Sequence, residues 1–445
     1  MLQKLRHMIR RGRELAAKGQ LADAITARAR SWIAARRFSA QAQKGLIYKE
    51  YSATLPDGLT AKKITLRLSV PPVPARPIYW FSEHVQTATG EMTDTVLVCG
   101  TGGFAISQDL GKTWRRVKIR ARRGQKLIHV KSIGESEYLV QIIRPGTEGS
   151  KTAPVDMLVV DDKGRVLAEH LSVGHRWHGC RAVDFRDGTL MYAEYANNIP
   201  VNGRRPSTCR VMRSRDRGRS WQPVFERGPE QIRHFHFLQS RPGVPREWWL
   251  TAGDLPHECR IWRSTDDGDS WSDLTPANDI ALKFAHTDFT QSIFRLTDLV
   301  WEDDEIIWAT DDNLASVDPP GARVFRSRIG PVLKPELVGT GKWHFRNIVD
   351  LGDFYLLTAQ RSNERNPAPE DRKPGVYIMP KKPVPGVPSL IFLFNPDSYP
   401  SRATAGFTFS KASRGIKGDT FFTFRSSEDV FPAGHRILEW KVILE

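Results

Sequence analysis

SQDLGKTW at residues 107–114, SRDRGRSW at 214–221 and STDDGDSW at 264–271 obey one pattern, Ser-x-Asp-x-Gly-x-Thr/Ser-Trp. Each residue type in it suits a tight turn between antiparallel strands. The carboxylates of Asp109, Asp216 and Asp266 can accept backbone N–H bonds across the turn. Gly111, Gly218 and Gly268 permit a positive φ, and Trp114, Trp221 and Trp271 cover the hairpin with a large ring. Asp109 and Asp216 are 107 residues apart and Asp216 and Asp266 are 50 apart. The long interval contains VVDDKGRVL (159–167), with Asp162 and Gly164 placed as a decayed copy, so the spacings become 53, 54 and 50. A period near 50 is the length of a four-stranded propeller blade.

These octapeptides resemble the Asp-box, or bacterial neuraminidase repeat, of sialidase-like β-propellers. The resemblance covers roughly residues 75–445. It implies that the boxes are folding elements at the turn between third and fourth strands, away from any active site. The third strands continue as FAIS (104–107), DMLVVD (156–161), CRVMRS (209–214), CRIWRS (259–264), RVFRS (323–327), VYIMPK (376–381) and RILEW (436–440). That series predicts seven blades, with six, as in sialidases, the alternative. KITLRLSV (63–70) then closes the ring as its outermost strand. The expected organisation is a basic amphipathic helical extension over 1–44, a linker with the ring-closing strand over 45–74, and the propeller over 75–445.

The net charge is +16, and residues 1–44 hold eleven Lys/Arg against Glu14 and Asp23. More than half of the excess therefore lies in a tenth of the chain, which fits a local contact with a membrane surface or a protein. It argues against a nucleic-acid face, and no helix-turn-helix, finger or RRM-like signature occurs. GTGG (100–103) falls between blade strands, as a hairpin turn and not a phosphate loop. The first residues lack the apolar core of a secretory signal, so the expected location is cytoplasmic, or outside by an unrecognised export route. The four cysteines show no metal-finger spacing and read as small buried strand residues.

Propeller geometry places the loops between second and third strands, and the connections into each next blade, on the face opposite the octapeptides. Second-strand ends carry Arg144, Glu194 with Asn197, Asp254, Asp311 with Asp312, and Arg361. Segments leading into blades carry His175, His178, His234, His236, His286 and His344, and His257 follows Asp254, so seven of the 12 histidines fall on this face. In MYAEYANN (191–198), alternation sends Tyr192 and Glu194 to one side and Tyr195 to the other. A carboxylate can take a phenolic proton as the oxygen attacks a sugar, and sialidases use a Tyr nucleophile. The resemblance thus implies a glycoside hydrolase acting on an acidic glycan or bacterial polysaccharide. Tyr192 or Tyr195 would be its nucleophile, Glu194 the base, and Asp254 or Asp311 the acid. His236 would move protons. Arg144, Arg361, His178, Asn197, His234, His257, Asp312 and His344 would hold the oligo- or polysaccharide.

The sialidase arginine set and early Arg-Ile-Pro segment have no counterpart beyond PARPIYW (74–80), so sialic acid is not implied. Two other readings stay open. One is a polysaccharide lyase using His and Tyr on a uronate polymer. The other is a non-catalytic glycan-binding or exopolysaccharide-assembly scaffold. No cofactor is expected, except that two or three of His178, His234, His236, His257 and His344 could bind a divalent metal. HFH (234–236) puts both its rings on one side of a strand.

Overall fold

The computed structural model describes residues 47–69, 82–100, 102–119, 126–143, 155–171, 174–177, 181–196, 207–276, 292–311, 322–341, 344–359, 375–394, 415–424 and 437–445. The expected helical extension over 1–44 lies outside them, as do Arg144, His178, Asn197, Asp312 and Arg361.

Among the described residues, twenty-eight strands form seven four-stranded antiparallel sheets. Two N-terminal strands come first, β1 (Ile47–Thr54) and β2 (Lys63–Ser69). The first blade is β3 (Ser82–Gln86), β4 (Met92–Gly100), β5 (Gly103–Ser107) and β6 (Arg115–Lys118). The second is β7 (Lys126–Ser132), β8 (Glu137–Ile143), β9 (Asp156–Asp161) and β10 (Val166–His170). The third is β11 (Val183–Arg186), β12 (Thr189–Ala193), β13 (Cys209–Ser214) and β14 (Gln222–Arg227). The fourth is β15 (Phe235–Ser240), β16 (Trp248–Ala252), β17 (Arg260–Ser264) and β18 (Ser272–Asp273). The fifth is β19 (Leu296–Glu302), β20 (Glu305–Thr310), β21 (Ala322–Arg328) and β22 (Glu336–Gly341). The sixth is β23 (Phe345–Asp350), β24 (Phe354–Ala359), β25 (Gly375–Pro380) and β26 (Ile391–Phe394). The chain finishes with β27 (Thr420–Phe424) and β28 (Ile437–Leu444). The protein is an all-β, seven-bladed β-propeller, not the six-bladed alternative.

Closure differs from the sequence expectation. The seventh sheet runs β27-β28-β2-β1, so RILEW belongs to a second strand, and KITLRLS is the third strand and not the outermost. The stretch at 47–54 is the fourth strand. Leu66 pairs with Val442 and Leu68 with Trp440 across the joint, and Trp440 is fully buried and stacked on Phe421, ring centres 6.2 Å apart. A hairpin from the start of the chain thus completes a hairpin from its end. Both halves of the blade gain a partner for an edge that would otherwise be unpaired.

The three octapeptides form near-identical turns. Asp109, Asp216 and Asp266 each accept the backbone N–H of the residue four later, at 2.8, 2.8 and 2.9 Å, and also its hydroxyl. The leading serine oxygen accepts the glycine N–H at 2.6–2.8 Å. The residue before each glycine also has positive φ (Leu110, Arg217, Asp267). A Cβ at Gly268 would stand 2.8 Å from the Met191 side chain of the preceding blade, so the turn seats one blade on the last. In the second blade the acid is Asp161, not Asp162: its carboxylate accepts the N–H groups of Lys163 and Arg165 at 3.0 and 2.8 Å. This turn joins its strands in fewer residues, and the acid stands at the end of β9.

Inner strands are tied across blades by buried acids. Glu83 accepts the N–H of Ser132 (2.7 Å), Asp184 that of Ser240 (3.2 Å) and Asp298 that of Ile348 (3.0 Å). These bonds fix how far neighbouring inner strands, and the loops at their ends, stand apart.

Candidate functional site

The pairing register supplies the site's frame. Phe235, Leu296 and Phe345 pair with the last residues of their second strands, and Ala182 bonds Ala193 in the same way. One residue upstream of these positions stand Arg181, His234, Arg295 and His344 in four consecutive blades. Just past the second strands stand Glu194 with Tyr195, Asp254, and Asp311. Both sets lie at the end of the channel opposite the octapeptide turns, as the loop argument predicts.

Asp254 is the hub. Gly253 has φ +123°, and a Cβ there would approach the Cys259 backbone to 2.5 Å. Only glycine lets the chain turn so close to β17 before Asp254 leaves the sheet. The Asp254 carboxylate receives Arg233 Nη1 at 2.7 Å and Arg295 Nη2 at 3.3 Å. His234 Nε2 stands 3.3 Å from its Oδ2, and His236 Nε2 stands 3.5 Å from its Oδ1. The two Nε2 atoms are 3.0 Å apart. Each Nδ1 faces a carbonyl at 3.2 Å, Ala196 for His234 and Leu296 for His236. Burial lowers the His234 pKa to about 4 against the pull of Asp254, so the ring is neutral at pH 7. Burial by itself would raise the Asp254 pKa, but the two imidazoles beside it outweigh burial and lower it. With the arginines on both oxygens, Asp254 stays ionised.

Tyr195 stacks on His234, ring centres 3.9 Å apart, with the Arg176 guanidinium 5.9 Å from its ring centre. Burial raises its pKa, and so does Asp254, while Arg346 and Arg176 oppose the rise. Its hydroxyl is therefore protonated at neutral pH, in the field of groups from four blades. Asp311 receives Arg346 Nη1 at 2.5 Å, and its backbone carbonyl lies 3.1 Å from His344 Nδ1. His344 thus directs its other nitrogen away from that bond.

Other expected residues do not join this cluster. The fully buried Glu194 carboxylate receives Nε and Nη2 of Arg210 at 3.1 and 3.0 Å. It also accepts the N–H groups of Arg210 (2.9 Å) and His175 (3.1 Å). With both oxygens so engaged, Glu194 clamps β13 to the connection before the third blade. Tyr192 is buried between Trp177 and Trp221, with ring centres 5.6 and 5.1 Å away, and burial drives its pKa well above the phenol range. Its alternation from Tyr195 is as expected, and it excludes Tyr192 from the cluster. His257 is exposed, 3.7 Å from Glu258.

Arg176, Arg295 and Arg346 escaped the sequence reading. The discoverable signal was the common register of RAVDF (181–185), HFHFL (234–238), RLTDL (295–299) and HFRNI (344–348). It shows a basic or imidazole side chain at the same point of four blades.

No family model matches the chain, and no curated protein matches it. Solved structures similar to it include YCF48 bound to D1 peptide, at 11% identity and TM-score 0.47, over 88% of this chain and 100% of that one. The WD40 propeller domain of Doa1 matches at 11% identity and TM-score 0.43, over 83% of this chain and 93% of that one. An ancestral GH74 enzyme matches at 11% and 0.42, over 82% of this chain and 47% of that one. These likenesses concern architecture, and the seven closed sheets of this chain define it independently as a seven-bladed β-propeller.

Proposed function

We propose that this propeller acts on an acidic polysaccharide and cleaves it by β-elimination next to a uronate carboxylate. The observation that carries the reading is the channel mouth. A half-buried tyrosine stacked on a histidine sits with Arg176 and Arg346 beside Asp254 and Asp311, and Arg233 and Arg295 reach the Asp254 carboxylate. Guanidinium groups gathered in this way suit an anionic sugar. Holding the carboxylate makes the adjacent C5 proton more acidic. His344 accepts that proton, the C5–H electrons form the C4=C5 double bond, and the C4–O4 bond breaks. Tyr195 gives its phenolic proton to the departing O4. The octapeptides support membership of the Asp-box group, and with it a carbohydrate substrate. The hydrolase reading is the weaker one here, because Glu194 is committed to Arg210 and Asp254 is held ionised.

The test is incubation with a panel of uronate-containing polysaccharides, following ultraviolet absorbance of unsaturated ends and reducing ends together. Elimination raises both signals. Reducing ends without absorbance would restore the hydrolase, and binding without either product would leave a glycan-binding scaffold.

A further inference from the structure

We propose that His234, His236 and Asp254 form a site for one divalent transition-metal ion, ligated through the two Nε2 atoms and the carboxylate. Strand alternation sends residues 234 and 236 to the same side, and the neighbouring blades set their tautomers. The carbonyls of Ala196 and Leu296 can only accept, so each Nδ1 facing them at 3.2 Å carries the hydrogen. Both Nε2 atoms are then the ones turned toward Asp254. They face one another at 3.0 Å and the carboxylate at 3.3 and 3.5 Å. Three potential ligand atoms thus converge within 4.8 Å of one another, close enough for one cation to meet all three.

The spacing suits a metal. Bonds of about 2.1 Å meeting at roughly 90–110° hold their donor atoms about 3.0–3.4 Å apart. The carbonyl partners of the Nδ1 hydrogens are the kind of outer support that fixes ligating histidines. Arg233 and Arg295 orient the carboxylate at 2.7 and 3.3 Å and draw off part of its charge. The two nitrogens therefore dominate the affinity, which favours zinc, cobalt or nickel over manganese, magnesium or calcium. The ion would stand beside the tyrosine–arginine cluster. In that place it deepens the elimination reading, on which only its catalytic role rests: it would share the uronate carboxylate with the arginines.

Chelator-treated full-length protein is titrated with Zn2+ and Ni2+ by calorimetry, and with Co2+ by visible absorption. The expected result is one equivalent per chain and a cobalt spectrum without thiolate charge transfer. Affinity should fall at least tenfold in His234→Ala, His236→Gln and Asp254→Asn and hold in His170→Ala, which removes a histidine from the outer strand β10. No saturable binding by the wild-type chain, or binding indifferent to the three substitutions, overturns the proposal. If the substituted chains fail to fold, the wild-type stoichiometry and cobalt spectrum decide it. Unsaturated products formed equally with and without chelator, together with no metal binding, would remove the metal and keep the elimination. Stoichiometric metal without products on any uronate polymer would keep the metal and remove the elimination.

Discussion

The two ends of the central channel hold buried charge in opposite ways. At the octapeptide end, Lys131 of the second blade reaches Glu83 of the first at 2.5 Å and Asp184 of the third at 3.0 Å. Arg186 stands 3.6 Å from Asp184, so two acids meet two bases. Backbone N–H groups take the remaining oxygens. Burial would lower the Lys131 pKa, but Glu83 and Asp184 outweigh it and raise it. A cavity of about 230 Å³ opens here, lined by Glu83, Gln86, Lys131, Asp184 and Arg186 among others, yet its charges already satisfy one another. At the other end, Arg233 and Arg295 converge on Asp254, and two imidazole nitrogens face the same carboxylate. The first network ties three blades together, whereas the second brings two imidazoles, a carboxylate and a tyrosine to one place, as a functional site does. The cavity is therefore the less informative of the two ends.

That contrast can be broken by substitution. Tyr195→Phe should cut the rate on a uronate polymer by about 10²–10⁴ and leave the urea unfolding midpoint nearly unchanged. A variant that turns over normally would separate the tyrosine from the chemistry. Lys131→Met at the opposite end should do the reverse. It strands two buried carboxylates and costs about 3–5 kcal/mol in urea unfolding, while the folded fraction keeps its specific activity.

Glu194→Gln sharpens the comparison on the mouth itself. As a clamp, Glu194 contributes through charge-assisted hydrogen bonds, discounted because Arg210 is a third exposed. The expected loss is about 2 kcal/mol of stability, with turnover retained. Abolished turnover in a stable protein would instead return it to the mechanism.

The smallest effect belongs to the octapeptide turns. Burial alone would raise the Asp216 pKa, but hydrogen bonds from Ser220 and Ser214 outweigh it and lower it from 3.8 to about 2. A carboxylate depressed on folding stabilises the protein above its unfolded pKa, and that contribution fades as pH falls from about 4 to about 2. Asp216→Asn should therefore cost about 1 kcal/mol at pH 7. The denaturation curves of the two proteins should converge near pH 2, as followed by circular dichroism.

Much of the fold was legible because its signal is local. Ser214, Asp216, Gly218 and Ser220 bond one another within seven residues, so the turn can be recognised without knowing what surrounds it. Seven blades, and the face on which histidines and acids gather, follow from that turn and its period. Ring closure was only half legible. KITLRLS reads as a strand, but its partner, Val442 against Leu66, is more than 370 residues away. Asp161 and Asp162 are the same residue type side by side, and only the length of the β9–β10 turn chose between them.

The sequence by itself determined a ring of blades and the composition of its two faces, since turn chemistry and strand alternation act over a few residues. The tertiary structure decided what those side chains became. Glu194 turned to Arg210 and was neutralised as a clamp, whereas Asp254 turned to His234, His236 and two arginines. A buried charge takes its role from whichever partners stand within about 3 Å. Here those partners come from other strands and other blades, whose approach is fixed only when the ring closes.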